Sequence, residues 1–128
     1  MKAPKPHRPA RPAPDTLEDA IARLGRIAAL NDALRRTMVT GRVMLTRGVA
    51  CLPREELRQL LQAVRDFDAF TPSNDPYGFH DFGAIDLGPQ TYFWKIDCYD
   101  LDLTYASPDQ ADPGVTRRVL TVMCAEEY

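Results

Sequence analysis

Leu17, Ile21, Leu24, Ile27, Leu30, Leu34 and Met38 recur every three or four residues. That spacing gathers them on one face of an α-helix but would scatter them over both faces of a strand. It predicts a helix over about residues 16–38. Asp15 with Glu18, or Thr16 with Asp19, supplies an N-cap and a side chain that reaches back from three positions later. Gly25 weakens the middle by about 1 kcal/mol relative to alanine, and Gly41 is placed to end the segment as a cap or turn. Arg23, Arg26, Arg35 and Arg36 fall off the apolar stripe.

Further along, the period changes. Val43–Thr46 reads as a short strand closed by Gly48. Pro53 suits the first position of a second helix, with Glu55 and Glu56 against the positive end of its dipole. Leu57, Leu60, Leu61, Val64 and Phe67 give that helix an apolar face, which Phe70 continues and Pro72 stops. Thr71–Gly78 is turn-rich. Three strands are predicted next: Phe82–Leu87, Thr91–Cys98 and Leu101–Ala106, the first two joined by Gly88-Pro89-Gln90. In the middle strand Tyr92, Trp94 and Ile96 share one face, and Phe93, Lys95 and Asp97 the other. Asp100 belongs to the turn before the third strand. Asp112-Pro113 then looks like the cap and first residue of a closing helix, with Val115, Val119, Val122 and Met123 inward and Arg117 and Arg118 outward. The order is α-β-α-β-β-β-α: an α+β domain of helices packed on a small, mostly antiparallel sheet. It spans residues 15–128, behind a proline-rich basic arm of residues 1–14 that is expected to be extended and disordered.

Charge is polarised along the chain. Residues 66–112 hold ten aspartates against one base, Lys95, a local charge of −9 within a formal total of −2. Such asymmetry bears on partners rather than on fold. Cys51, Cys98 and Cys124 are odd in number and widely spaced, which fits buried thiols in a reducing compartment better than a disulfide framework or a zinc site. No apolar run approaches the roughly 20 residues of a membrane span, and the basic start lacks the apolar segment of a secretory signal. A cytoplasmic location and no membrane contact are expected.

The densest polar constellation is Asp75, His80, Asp81, Asp86, Lys95, Asp97, Asp100 and Asp102. One reading centres a small hydrolase or metal-dependent enzyme on His80, Asp81, Lys95 and Asp97: carboxylates and an imidazole can bind a hard cation or move protons, and a lysine can orient an anion. No metal-loop, nucleophile or phosphate-loop motif accompanies them, so neither metal nor cofactor is expected, and a histidine beside an aspartate is also an ordinary hydrogen-bonded pair. Lys95 is placed to pair with Asp97 or Asp86. A second reading assigns Asp86, Asp97, Asp100 and Asp102 to an acidic face that binds a basic protein. Against it stands the use of aspartate in turns, caps and internal pairs. A third binds nucleic acid through the basic arm and the arginines of the first two helices.

Several strings carry a resemblance: Leu30-Asn31-Asp32, Gly41 through Val49 (GRVMLTRGV), Phe67 through Pro72 (FDAFTP), Asn74-Asp75-Pro76, His80-Asp81-Phe82-Gly83, Phe93 through Asp97 (FWKID) and Thr116 through Leu120 (TRRVL). Over about residues 28–128 the chain resembles a family of small bacterial proteins classed only as a domain of unknown function. The resemblance implies no activity or site; it is similar in style to accessory proteins of plasmids and other mobile elements. The expectation is a cytoplasmic accessory protein that acts by binding, to a protein partner, rather than as an enzyme.

Overall fold

A computed structural model describes residues 16–128; the expected arm of residues 1–14 lies outside the described residues. The fold is α+β, three helices and a four-stranded, mostly antiparallel sheet, as the sequence predicts. Helix α1 (Leu17–Thr37) starts at Thr16, whose hydroxyl accepts from the Asp19 N–H at 3.1 Å while the Asp19 carboxylate accepts from the Thr16 N–H at 3.3 Å. Its end is set by Met38 in the left-handed region (φ 58°), with the Met38 N–H on the Leu34 carbonyl. Gly41 is therefore not the cap. It serves a different need: a Cβ there would lie 2.7 Å from the Arg118 carbonyl oxygen, so glycine lets the chain enter the sheet beside its neighbour.

Strand β1 (Arg42–Leu45) leads through a single turn, α2 (Arg47–Ala50), to helix α3 (Arg54–Asp66), which follows Pro53 and carries Glu55 and Glu56 in its first turn. Phe67 and Phe70 do not extend this helix. The chain leaves it at Phe67, and the two rings pack edge-on at 4.9 Å, with Phe67 5.4 Å from Trp94. Strands β2 (Phe82–Leu87) and β3 (Gln90–Tyr99) form the predicted hairpin, turning at Gly88 (φ 59°).

Two elements differ from expectation. Residues 101–106 are not a strand: they form a loop tied to the sheet by one bridge between Tyr99 and Ala106. The segment after Asp112-Pro113 is not a helix. Asp112 does cap, accepting from the Gly114 N–H at 2.8 Å, but only a short 3-10 turn (Pro113–Val115) follows before strand β4 (Arg117–Cys124). Val115, Val119, Val122 and Met123 fit a helical spacing, yet Arg118, Leu120 and Val122 alternate equally well. β4 fills the slot between β1 and β3, where it satisfies both neighbours' backbone groups. The sheet order is β1-β4-β3-β2, with only the β1–β4 pair parallel.

Tyr92, Trp94 and Ile96 of β3, Leu120 and Val122 of β4 and Ile85 of β2 bury one sheet face under Leu34 of α1 and Leu60 and Val64 of α3. Gly83 lies opposite Trp94, where a Cβ would overlap the indole. Among the described residues no helix covers the second face, which presents Arg42, Met44, Phe82, Phe93, Lys95, Asp97, Arg117 and Val119. Tyr128 folds back onto Phe82 and Phe93. Glu127 latches this C-terminal turn: its carboxylate accepts from the Thr46 hydroxyl at 2.7 Å, the Gly48 N–H at 3.0 Å and the Cys124 N–H at 2.9 Å. Those donors hold it down at about 2, and burial together with Glu127 pushes the Cys124 thiol up to about 11.

The α1 stripe is only half used. Ile27 and Leu34 are buried, but Leu17, Ile21 and Leu24 are 77%, 60% and 38% exposed, because the helix runs past the edge of the core. Arg35, expected to fall off the stripe, is fully buried.

Candidate functional site

His80 begins β2's approach in a left-handed conformation (φ 53°), one that costs a non-glycine residue about 1 kcal/mol or more. Its surroundings account for that geometry. The His80 N–H donates to Asp75 Oδ1 at 3.2 Å; the ring's Nδ1 lies 3.0 Å from Asp32 Oδ1, and its Nε2 3.6 Å from Asp75 Oδ2. The ring stacks on Phe70, with centroids 4.0 Å apart and planes 3° from parallel. Asp32 also pairs with Arg35 at 2.9 Å. Arg35 in turn donates to the Val64 and Arg65 carbonyls, closing the C-terminus of α3, and lies over the rings of Phe70 and Trp94. Asn31, buried one residue before Asp32, donates to the Phe79 carbonyl at 2.9 Å and accepts from Arg118 Nε at 2.8 Å. The whole assembly joins α1, α3, the loop before β2 and β4. The ring is held by the hydrogen bond of Nδ1 to Asp32 and by the stack on Phe70, while Nε2 stands at ion-pair rather than hydrogen-bond distance from Asp75.

The four residues considered as an enzyme centre are divided. His80 faces α1, whereas Lys95 stands on the uncovered sheet face and pairs with Asp97 at 3.0 Å; the hydrogen bond to Asp97 holds its ammonium above the usual lysine range. Asp81 and Asp97 line a cavity of about 300 Å³ with Asn31, Cys98, Tyr99 and Gln110, and neither His80 nor Lys95 reaches its wall. Burial raises the Asp81 carboxyl, and the charges of Asp75 and Asp97 add to the effect. Among the described residues no group of three or more His, Cys, Asp or Glu side chains is placed to hold a metal ion, and no helix is long and apolar enough to cross a membrane.

The aspartates expected to form one face do not all meet. Asp86 pairs in register with Thr91 at the hairpin end, accepting from its hydroxyl at 2.6 Å. Asp97 lies six residues further along β3, roughly 20 Å away at about 3.3 Å per residue. Asp97, Asp100 and Asp102 do gather at that far end. Asp100 organises the loop that follows: Oδ1 accepts from the Thr104 N–H at 2.9 Å, the Leu103 N–H donates to its carbonyl at 3.1 Å, and its own N–H donates to the Tyr105 carbonyl at 2.8 Å. Ser107 closes the base on the Cys98 carbonyl at 3.0 Å. The loop so fixed presents Leu101, Leu103 and Tyr105 to solvent at 50%, 39% and 75% exposure, with Leu103 left-handed (φ 58°). Asp102 is exposed between the two leucines.

Sequence reasoning missed both halves of this picture. Asp32 and Arg35 lie three apart on a helix, an ordinary surface pair in one dimension; only the fold carries His80 to them. The alternation Asp100-Leu101-Asp102-Leu103 reads as a strand, and the same alternation served a loop whose apolar side chains stay outside.

The chain belongs to the family described as "Protein of unknown function (DUF3768)", which matches residues 45–127 and thus a narrower span than the 28–128 of the resemblance. No curated protein and no solved structure gives a match.

Proposed function

We propose that this family member acts by binding, and that it engages a protein partner through the 100–106 loop and the carboxylates beside it. One observation carries the reading: a loop held by three backbone hydrogen bonds and one to the Asp100 carboxylate nonetheless exposes three large apolar side chains, one of them on a strained residue. A soluble surface has no folding reason to fix leucines outward; a pre-ordered apolar loop loses little conformational entropy on association. Asp100 at its base and Asp102, exposed between the two leucines, put negative charge on one side of it, so the complementary surface is apolar at its centre and basic where it meets those carboxylates. The internal engagement of His80 and Lys95 favours binding over catalysis.

The test is retention of a partner from host lysate at low and moderate salt by the full chain and by two variants. Leu101→Ser with Leu103→Ser removes the apolar contact, and Asp102→Lys reverses an exposed charge whose carboxylate accepts no hydrogen bond among the described residues. Asp102→Lys should weaken retention at least fivefold at low salt and the leucine pair should abolish it. A stoichiometric partner held equally by all three folded proteins would overturn the reading, as would no partner at either salt.

A further inference from the structure

The uncovered sheet face also carries a cavity of about 720 Å³ at the start of β1 and β4, lined by Thr40, Arg42, Arg117 and Val119, with Leu101 and Leu103 on its wall. Arg42 and Arg117 come from neighbouring strands. Arg42 is in register with Val119, so Arg117 is its diagonal neighbour on the same face, with Cα atoms roughly 8 Å apart from the strand spacing and rise. Arginine side chains rooted at that separation are long enough for both guanidinium groups to reach one small group between them. Neither forms an ion pair among the described residues. Arg118, next in the strand, turns to the opposite face, where it meets Asn31 and the Gln110 carbonyl.

No carboxylate lines the cavity. The acids nearest to it in sequence are Asp100 and Asp112, each occupied by a backbone N–H, and Asp102. In a chain of net negative charge this is a local reversal of sign: two cations side by side, mutually repelling, with no internal counterion among the described residues. The forked donors of arginine match the oxygens of phosphate and carboxylate in pairs, which a lysine could not do. Beside them Leu101, Leu103 and Val119 form an apolar wall, and the volume lies within the range of small-molecule sites.

We propose that this cavity binds a small organic anion, a phosphate or carboxylate carried on an apolar or aromatic body, with Arg42 and Arg117 gripping the anion and Leu101, Leu103 and Val119 the body. The site shares Leu101 and Leu103 with the protein-binding reading, but its anion grip rests on Arg42 and Arg117, which that reading does not use.

The experiment follows backbone amides of the full chain by NMR during titration with inorganic phosphate, adenosine monophosphate and benzoate. Wild type is compared with Arg42→Gln, Arg117→Gln and the double variant. Both side chains are exposed, so each variant should keep the native spectrum. Saturable shifts at Gly41–Val43, Leu101–Leu103 and Thr116–Val119 are expected, weakened about threefold or more by each single change and at least tenfold by both. Response to the two phosphates alone assigns the anion as phosphate; response to benzoate alone assigns a carboxylate; response to all three supports the shared chemistry. No saturable shift at these amides with any probe overturns the site. So does unchanged affinity in the double variant or, should that variant lose the native spectrum, in both single variants.

Discussion

The His80 junction and the 100–106 loop are both irregular, polar and strained at one residue, yet they dispose of their side chains in opposite ways. At the junction every charged group meets another group of the chain: Asp32 serves both His80 and Arg35, Asp75 serves the His80 backbone and ring, and Arg35 closes the end of α3. At the loop the hydrogen bonds run between backbone groups and the short side chains of Asp100 and Thr104, and the large apolar side chains face out. A titratable constellation is therefore not by itself a site. When its members satisfy one another, its strain is accounted for by the fold; when strain coincides with outward apolar groups, folding offers no account and function is the better one.

Substitutions can break this contrast. The largest effect should come from Asp32→Ala, which leaves the fully buried Arg35 without its carboxylate and the His80 Nδ1 without its hydrogen-bond partner; a loss of about 3–5 kcal/mol is expected in denaturant unfolding. A loss under about 1 kcal/mol would mean the junction is held together by something other than these contacts. His80→Ala removes the stacked ring but leaves the Arg35–Asp32 pair, and should cost about 1–3 kcal/mol in the same measurement. At the loop, Leu103→Gly should leave stability unchanged or raise it by up to about 1 kcal/mol by relieving the left-handed leucine. The same change should reduce partner retention. A destabilised Leu103→Gly would make the leucine structural and erase the contrast.

Glu127 gives the smallest and most local effect. Its carboxyl is held at about 2, below the 4.5 of an unperturbed glutamate. A depressed value means its contribution is complete above about 4.5 and is lost as the pH falls towards 2. Hydrogen exchange at the Gly48 and Cys124 amides should therefore accelerate across that window in the native chain. In Glu127→Gln it should be fast already at neutral pH and independent of pH across the same window apart from the intrinsic exchange rate. Equal protection in both chains would show that the latch does not depend on the charge.

Periodicity and capping residues by themselves determined α1, α3, the β2–β3 hairpin and the faces of β3, because each is fixed by neighbours within a few residues. Thr16 with Asp19, the Leu60–Val64 face and the alternation of Tyr92, Trp94 and Ile96 are all local facts. Tertiary structure decided the remainder. Thr116–Cys124 suits a helix or a strand, and it became β4 because a slot between β1 and β3 offered hydrogen bonds on both edges. Asp32, Arg35 and His80 were separated by up to 48 residues before the chain closed on itself, and Arg42 met Arg117 only through the parallel pairing of β1 with β4. Contacts of that range have no one-dimensional signature: their residue types are ordinary, and only the packing that joins distant segments gives them partners, or leaves them without any.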